Sequence, residues 1–177
     1  GQWSFALAES NRHTVSLEIS AFRCSVLNHL SRNLGITTIS TLVGDMDDLP
    51  FQNEFFDSVY CYGAIMFDDW KRKTSELVRV LRPGGRLYIS TSAIGWYLSN
   101  LVWGHNDSDD FSSRLMALDT IVHSITTRSS QRGSSSRQSI IQPRSPRSTL
   151  TQAGATVLQI APDGRVGDMG GGRTDQP

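Results

Sequence analysis

Two cysteines in 177 residues, Cys24 and Cys61, are too few and too isolated for a disulfide framework or a zinc site. Both fall in apolar surroundings, where a small buried thiol is the expected state. No apolar run approaches the roughly 20 residues that a membrane-spanning helix needs, and the N-terminal residues lack the basic-then-apolar pattern of a secretory leader. The expectation is a soluble, cytoplasmic protein that binds no metal. Net charge is lacking as well: 17 Lys and Arg face 17 Asp and Glu, which argues against bulk attraction to nucleic acid or anionic lipid.

The balance conceals an asymmetry. Acidic residues outnumber basic ones up to Thr120, whereas beyond it Arg128, Arg132, Arg137, Arg144, Arg147, Arg165 and Arg173 face only Asp163, Asp168 and Asp175. Residues 124–149 are dominated by Ser, Thr and Arg, contain no aromatic residue and offer little to a core, so a flexible segment is expected there. Residues 165–177 are too rich in glycine to pack. The expected division is a domain over 1–123, the flexible segment over 124–149, a last helix-to-strand step of the same domain over 150–164, and a disordered tail.

Residues 44–90 carry the most information. They read GDMDDLPFQNEFFDSVYCYGAIMFDDWKRKTSELVRVLRPGGRLYIS, with two buried-strand signals, a helix between them and three short motifs. Across the whole chain, strand and helix signals alternate. The pattern predicts helix over 1–9, strand over 14–19, helix over 20–33 closed by Gly35, and strand over 36–43. In the second helix, Phe22, Val26, Leu27 and Leu30 recur at helical spacing. Strand over 56–62, helix over 70–81 with Leu77, Val78 and Leu81 on one face, and strand over 86–91 follow. Helix over 114–125 and one last strand over 156–161 complete the series. Short alternation of this kind favours a parallel sheet with crossover helices.

In open α/β sheets, ligands sit beyond the carboxyl ends of the strands. Glu18 ends a strand roughly 20 residues after a glycine that precedes a helix, a position from which a carboxylate accepts hydrogen bonds from both hydroxyls of a ribose. Asp45 follows the next strand and opens the loop Asp45-Met46-Asp47-Asp48-Leu49-Pro50-Phe51. There an acid and a soft apolar side chain could grip a purine, or an acidic turn could simply be pinned by Leu49 and Phe51. The RVLRPGGRLYI stretch is a helix end, a tight turn and a strand, with an architectural role.

Taken together, Glu18, the DMDDLPF loop, FFDSVYCYGAIMF and RVLRPGGRLYI resemble the class I S-adenosylmethionine-dependent methyltransferases, specifically the small-molecule group with an LPF loop and an RVLRPGG turn. The resemblance covers residues 1–92, with a weaker echo over 150–164. It implies an α/β, Rossmann-like three-layer sandwich with a mostly parallel sheet, S-adenosylmethionine as cofactor and a small-molecule acceptor, with no nucleic-acid partner. By the same resemblance Gly1 matches the last glycine of the cofactor loop, and Glu18 the ribose-binding acid. Asp45 and Met46 match the adenine-binding positions, and Tyr62 and Gly63 the region lining the methionine end.

The family's first strand and first two glycines precede the position that Gly1 matches, so the sheet is expected to be incomplete and cofactor binding by this chain weak or absent. No catalytic residue is assigned. Asp68, Asp69 and His105 are the candidates for a general base, and each also suits a surface or cap position. Trp96, Tyr97 and Trp103 form an aromatic cluster suited to a substrate lid or to core. Two other readings compete. One is a non-catalytic fragment or interaction protein using its arginine-rich segment. The other is a nicotinamide-dependent enzyme, which leaves the LPF loop and RVLRPGG turn unexplained.

Overall fold

The computed structural model describes residues 1–104, 106–126, 138–141 and 144–161. The chain divides into two compact units, Gly1–Gln52 and Asn53–Pro177, so a unit boundary falls inside the expected 1–123 domain.

The first unit runs α1 (Gln2–Ser10), β1 (Thr14–Glu18), α2 (Ala21–Asn33) and β2 (Ile39–Val43). β1 and β2 pair in parallel in the register Thr14↔Ile39 through Glu18↔Val43, with α2 as the crossover. Ser20 caps α2 by accepting from the Arg23 N–H at 3.4 Å. At the other end the Ile36 N–H reaches the Ser31 carbonyl at 2.8 Å and closes the helix. The buried face of α2 is Cys24, Leu27 and Ser31. This corrects the expected face: only Leu27 of the four apolar positions is buried, while Phe22, Val26 and Leu30 are exposed, Phe22 by 76%. That face meets the ladder directly, where the Cys24 thiol donates to the Glu18 and Leu42 carbonyls at 3.8 and 3.6 Å.

The second unit contains β3 (Phe56–Tyr62), α3 (Trp70–Arg79), β4 (Leu81–Ser90), α4 (Ile94–Trp103), α5 (Ser113–Thr126) and α6 (Arg144–Gln152). β3 and β4 pair in parallel, from Ser58↔Arg86 to Tyr62↔Ser90, and the stacked rings of Tyr60 and Tyr88 lie 4.7 Å apart. Parallel pairing is thus present as two ladders, one in each unit.

Helix α3 stops at Arg79, short of the expected 81. The Glu54 N–H takes the Arg79 carbonyl, and the Phe55 and Phe56 N–H groups take that of Val80, all at 2.9 Å. The chain then pairs again at once: Leu81 lies opposite Phe56, and the ladder is irregular until Ser58↔Arg86. Pro83-Gly84-Gly85 fills that irregularity, so β4 begins before the expected 86. A Cβ on Gly85 would lie 2.9 Å from the Arg82 and Asp57 carbonyl oxygens, so the close approach of two backbones requires glycine there.

Two expectations bear on the C-terminal part. Among the described residues of the 124–149 segment, α5 runs to Thr126, Gln138 bridges Phe67, and α6 begins at Arg144 and packs on α3. Ile141 is buried and, with Leu150, lines an apolar cleft against Ile65, Trp70 and Ile89. Residues 127–137 and 142–143 of that segment, and the tail from 162, lie outside the described residues. The expected last strand over 156–161 does not form: after Gln152 the chain turns at 153–154 and continues without ladder pairing.

Candidate functional site

In the first unit, the parallel register places Glu18 opposite Val43 at the carboxyl edge of the ladder, so Asp45 follows two residues beyond Glu18's partner. The Gly44 N–H bonds the Glu18 carbonyl at 3.1 Å, which continues the ladder to the start of the loop. Glu18 and Asp45 therefore belong to one strand-end edge, as a ribose and a purine on one nucleoside would need.

The Glu18 carboxylate is oriented by its own chain. One oxygen accepts the Ser20 N–H at 3.1 Å, and the other lies 3.7 Å from the Arg23 guanidinium. The side chain stays about 30% exposed, so it presents acceptor capacity to solvent. Asp45 is exposed, and one of its carboxylate oxygens accepts the Asp47 N–H at 3.0 Å. That contact shapes the turn, and buried Leu49 anchors it. Met46 is half-buried in the same turn. Gly1 caps the N-terminus of α1, its carbonyl accepting the Ser4 N–H at 3.0 Å; a Cβ on Gly1 would lie 3.3 Å from the Leu27 side chain.

In the second unit, Tyr62 ends β3 half-exposed, its ring stacked on that of Tyr60. Gly63 follows with φ +62°, its N–H bonding the Ser90 carbonyl at 3.0 Å. A Cβ there would meet nothing within 4 Å, so backbone conformation alone favours glycine, and the space beside it is open. Tyr62 and Gly63 thus occupy the carboxyl edge of the β3–β4 ladder.

The general-base candidates resolve into structural parts. Asp69 caps α3 by accepting the Lys71 and Arg72 N–H groups, each at 3.2 Å. Asp68 takes a left-handed backbone, φ +55°, and lies 3.7 Å from the Lys73 ammonium. His105 lies outside the described residues. The aromatic cluster divides: Tyr97 is fully buried with its hydroxyl donating to Gln138 at 2.9 Å, whereas Trp96 and Trp103 are exposed.

Two buried groups lie beside the β3 edge: Cys61, a buried thiol as its apolar surroundings imply, and Lys73, which sequence reasoning passed over. Burial pushes the Cys61 thiol up to about 11 from its ordinary 9.0, although the N–H groups of Ala64 and Ile65 and the Lys73 charge pull it back. Cys61 is therefore an inert thiol at neutral pH. Lys73 sits on the buried stripe of α3 with Thr74 and Leu77. The signal was present as a charged residue four positions before Leu77 on the apolar face.

Residues 1–89 match the methyltransferase-domain family. Over 90 residues the chain is 34% identical to the demethylmenaquinone methyltransferase of Clavibacter sepedonicus, covering 50% of this chain and 36% of that protein. Over 77 residues it is 35% identical to the ubiquinone/menaquinone biosynthesis C-methyltransferase UbiE of Wigglesworthia glossinidia brevipalpis, covering 42% of this chain and 31% of the relative. The chain thus spans about a third of the length of these two curated relatives. Among solved structures, the YcgJ protein of Bacillus subtilis superposes with a TM-score of 0.53 at 20% identity, over 58% of this chain and 47% of that one, and shares the fold.

Proposed function

The chain belongs to the methyltransferase-domain family, of the class I S-adenosylmethionine-dependent type, and we propose that the protein transfers a methyl group from S-adenosylmethionine to a small-molecule acceptor. The observation that carries the proposal is the shared carboxyl edge of β1 and β2, where the register pairs Glu18 with Val43 and Asp45 opens the turn two residues beyond.

Within the first unit, the residues at the strand-end edge suit the nucleoside part of the cofactor. Glu18 retains solvent-facing carboxylate capacity for a ribose diol, held in orientation by the Ser20 N–H. Asp45 is exposed and can accept from an exocyclic amine, with Met46 in the same turn to cover the ring. In the second unit, taken by itself, Gly63 leaves open space at the β3 edge, which supports the methionine-end role that the family resemblance gives this position. Gly1 and Tyr62 complete the proposed set. S-adenosylmethionine would supply an already activated methyl group on a positively charged sulfur.

The chain's task is accordingly alignment and exclusion of water, not activation of a leaving group. No side chain is assigned as general base; Asp69 is committed to its helix cap and Asp68 lies beside Lys73. A small molecule is favoured over nucleic acid, because the arginine-bearing segment 124–149 has no aromatic residue on which a base could stack.

The names of the two curated relatives direct the first assay to a quinone ring. The chain would be incubated with methyl-labelled S-adenosylmethionine and a short-chain demethylated quinone, and the organic extract counted. Label in the extract, lost with Glu18→Gln, supports the proposal. Label transferred equally by wild type and variant would overturn the site assignment.

A further inference from the structure

The loop joining β3 to α3, residues 63–69, is held at both ends by buried side chains. At its start lies the buried Cys61 thiol, on which the N–H groups of Ala64 and Ile65 act against the effect of burial. At its end, Lys73 reaches back from α3. Its ammonium donates to the Phe67 carbonyl at 2.7 Å and lies 3.7 Å from the Asp68 carboxylate. Lys73 is only 4% exposed.

The loop's path is unusual in a way that this clamp explains. Two left-handed residues bracket it, Gly63 at φ +62° and Asp68 at φ +55°. Glycine adopts that conformation freely, whereas Asp68 does so at a cost, which the nearby ammonium offsets. Between them Ile65 and Met66 are buried, and the Met66 carbonyl accepts the Ser139 N–H at 2.8 Å. An ammonium placed in such an apolar setting carries a desolvation penalty that a methionine of similar length would avoid. Packing alone therefore does not account for a lysine here; its donor and charge do, and both are directed at the loop backbone and Asp68.

We propose that Lys73 is a positioning residue that sets the path of residues 63–68 and thereby holds Tyr62 and Gly63 where the methionine end of the cofactor approaches. The cofactor half of this inference rests on the proposed function. The loop half rests on the geometry of this unit alone.

The test compares wild type with Lys73→Met, which keeps the packing, and Asp68→Asn, which tolerates the left-handed backbone and removes the ion pair. Amide hydrogen exchange, thermal unfolding and calorimetric titration with S-adenosylhomocysteine are measured on all three. The expected result is exchange at residues 64–68 about tenfold faster in Lys73→Met and severalfold faster in Asp68→Asn. The unfolding midpoint should hold or rise in Lys73→Met, while its affinity for S-adenosylhomocysteine falls about tenfold. Unchanged exchange and affinity in both variants, with a wild type that binds, would overturn the role of Lys73 and leave the proposed function standing. A wild type that does not bind would overturn the proposed function instead, and the exchange rates would still decide whether Lys73 sets the loop.

Discussion

Raising the pH from 8 to 10.5 should cost the unit containing β3 about 2 kcal/mol of stability through Cys61 alone. The folded state holds the thiol proton to about pH 11, because burial disfavours the thiolate more than the Ala64 and Ile65 N–H groups and the Lys73 charge favour it. The unfolded chain releases that proton near the ordinary value of 9.0. Between these values the unfolded state binds fewer protons than the folded one, so stability falls as pH rises. It is fully present below pH 9 and lost through pH 11. Two pH units at about 1.4 kcal/mol each give a limiting loss of about 3 kcal/mol, of which about 2 kcal/mol is reached by pH 10.5. The assay is urea unfolding followed by tryptophan fluorescence at several pH values, for wild type and Cys61→Ala. Tyr97, also raised by burial, to about 12, titrates in both proteins and cancels in the difference. The stability gap between the two proteins should move by about 2 kcal/mol across this range, in the direction that disfavours wild type at high pH. A gap independent of pH would refute the reasoning and show that the Cys61 thiol reaches solvent.

Asp69→Ala should cost about 1 kcal/mol, since it removes the side chain that accepts the Lys71 and Arg72 N–H groups at the start of α3; chemical denaturation measures it. Gly63→Ala should destabilise by about 1 to 2 kcal/mol through its positive φ alone, because a Cβ there meets no neighbour, and a Gly63→Asn variant should recover part of that loss. Trp103→Ser should change stability by less than about 0.5 kcal/mol, since the ring is 67% exposed at the end of α4.

Much of the fold was legible because each element carries a local signature. The 56–62 strand has the bounds that its apolar run predicts, and the Ser20 cap and the turn after Leu34 delimit α2 as its sequence implies. The errors share a cause, namely tertiary contacts invisible to a periodicity count. Phe22, Val26 and Leu30 are apolar at helical spacing, yet the face turned inward carries Cys24, Leu27 and Ser31, spaced i, i+3 and i+7. The helix after Asp69 ends two residues early because residues 54–56 capture its terminal carbonyls. Among the described residues of 138–141 and 144–152, composition hid the few apolar ones, Ile141 and Leu150, that line a cleft with Ile65, Trp70 and Ile89. The strand-end positions of the candidate site were readable because strand ends follow from strand bounds. Lys73 was overlooked because a lysine on a helix is expected to point to water, although its place four residues before Leu77 set it on the apolar face.

The most direct test of the central claim is a calorimetric titration of the chain with S-adenosylhomocysteine, repeated with Glu18→Gln and with Asp45→Ala. Glu18 and Asp45 share the carboxyl edge of β1 and β2, so both should contact one nucleoside. The account predicts saturable binding that weakens about tenfold or more in each variant, the loss of roughly one charge-assisted hydrogen bond. Binding that both variants retain at wild-type affinity, or no binding by the folded wild-type chain, would contradict it.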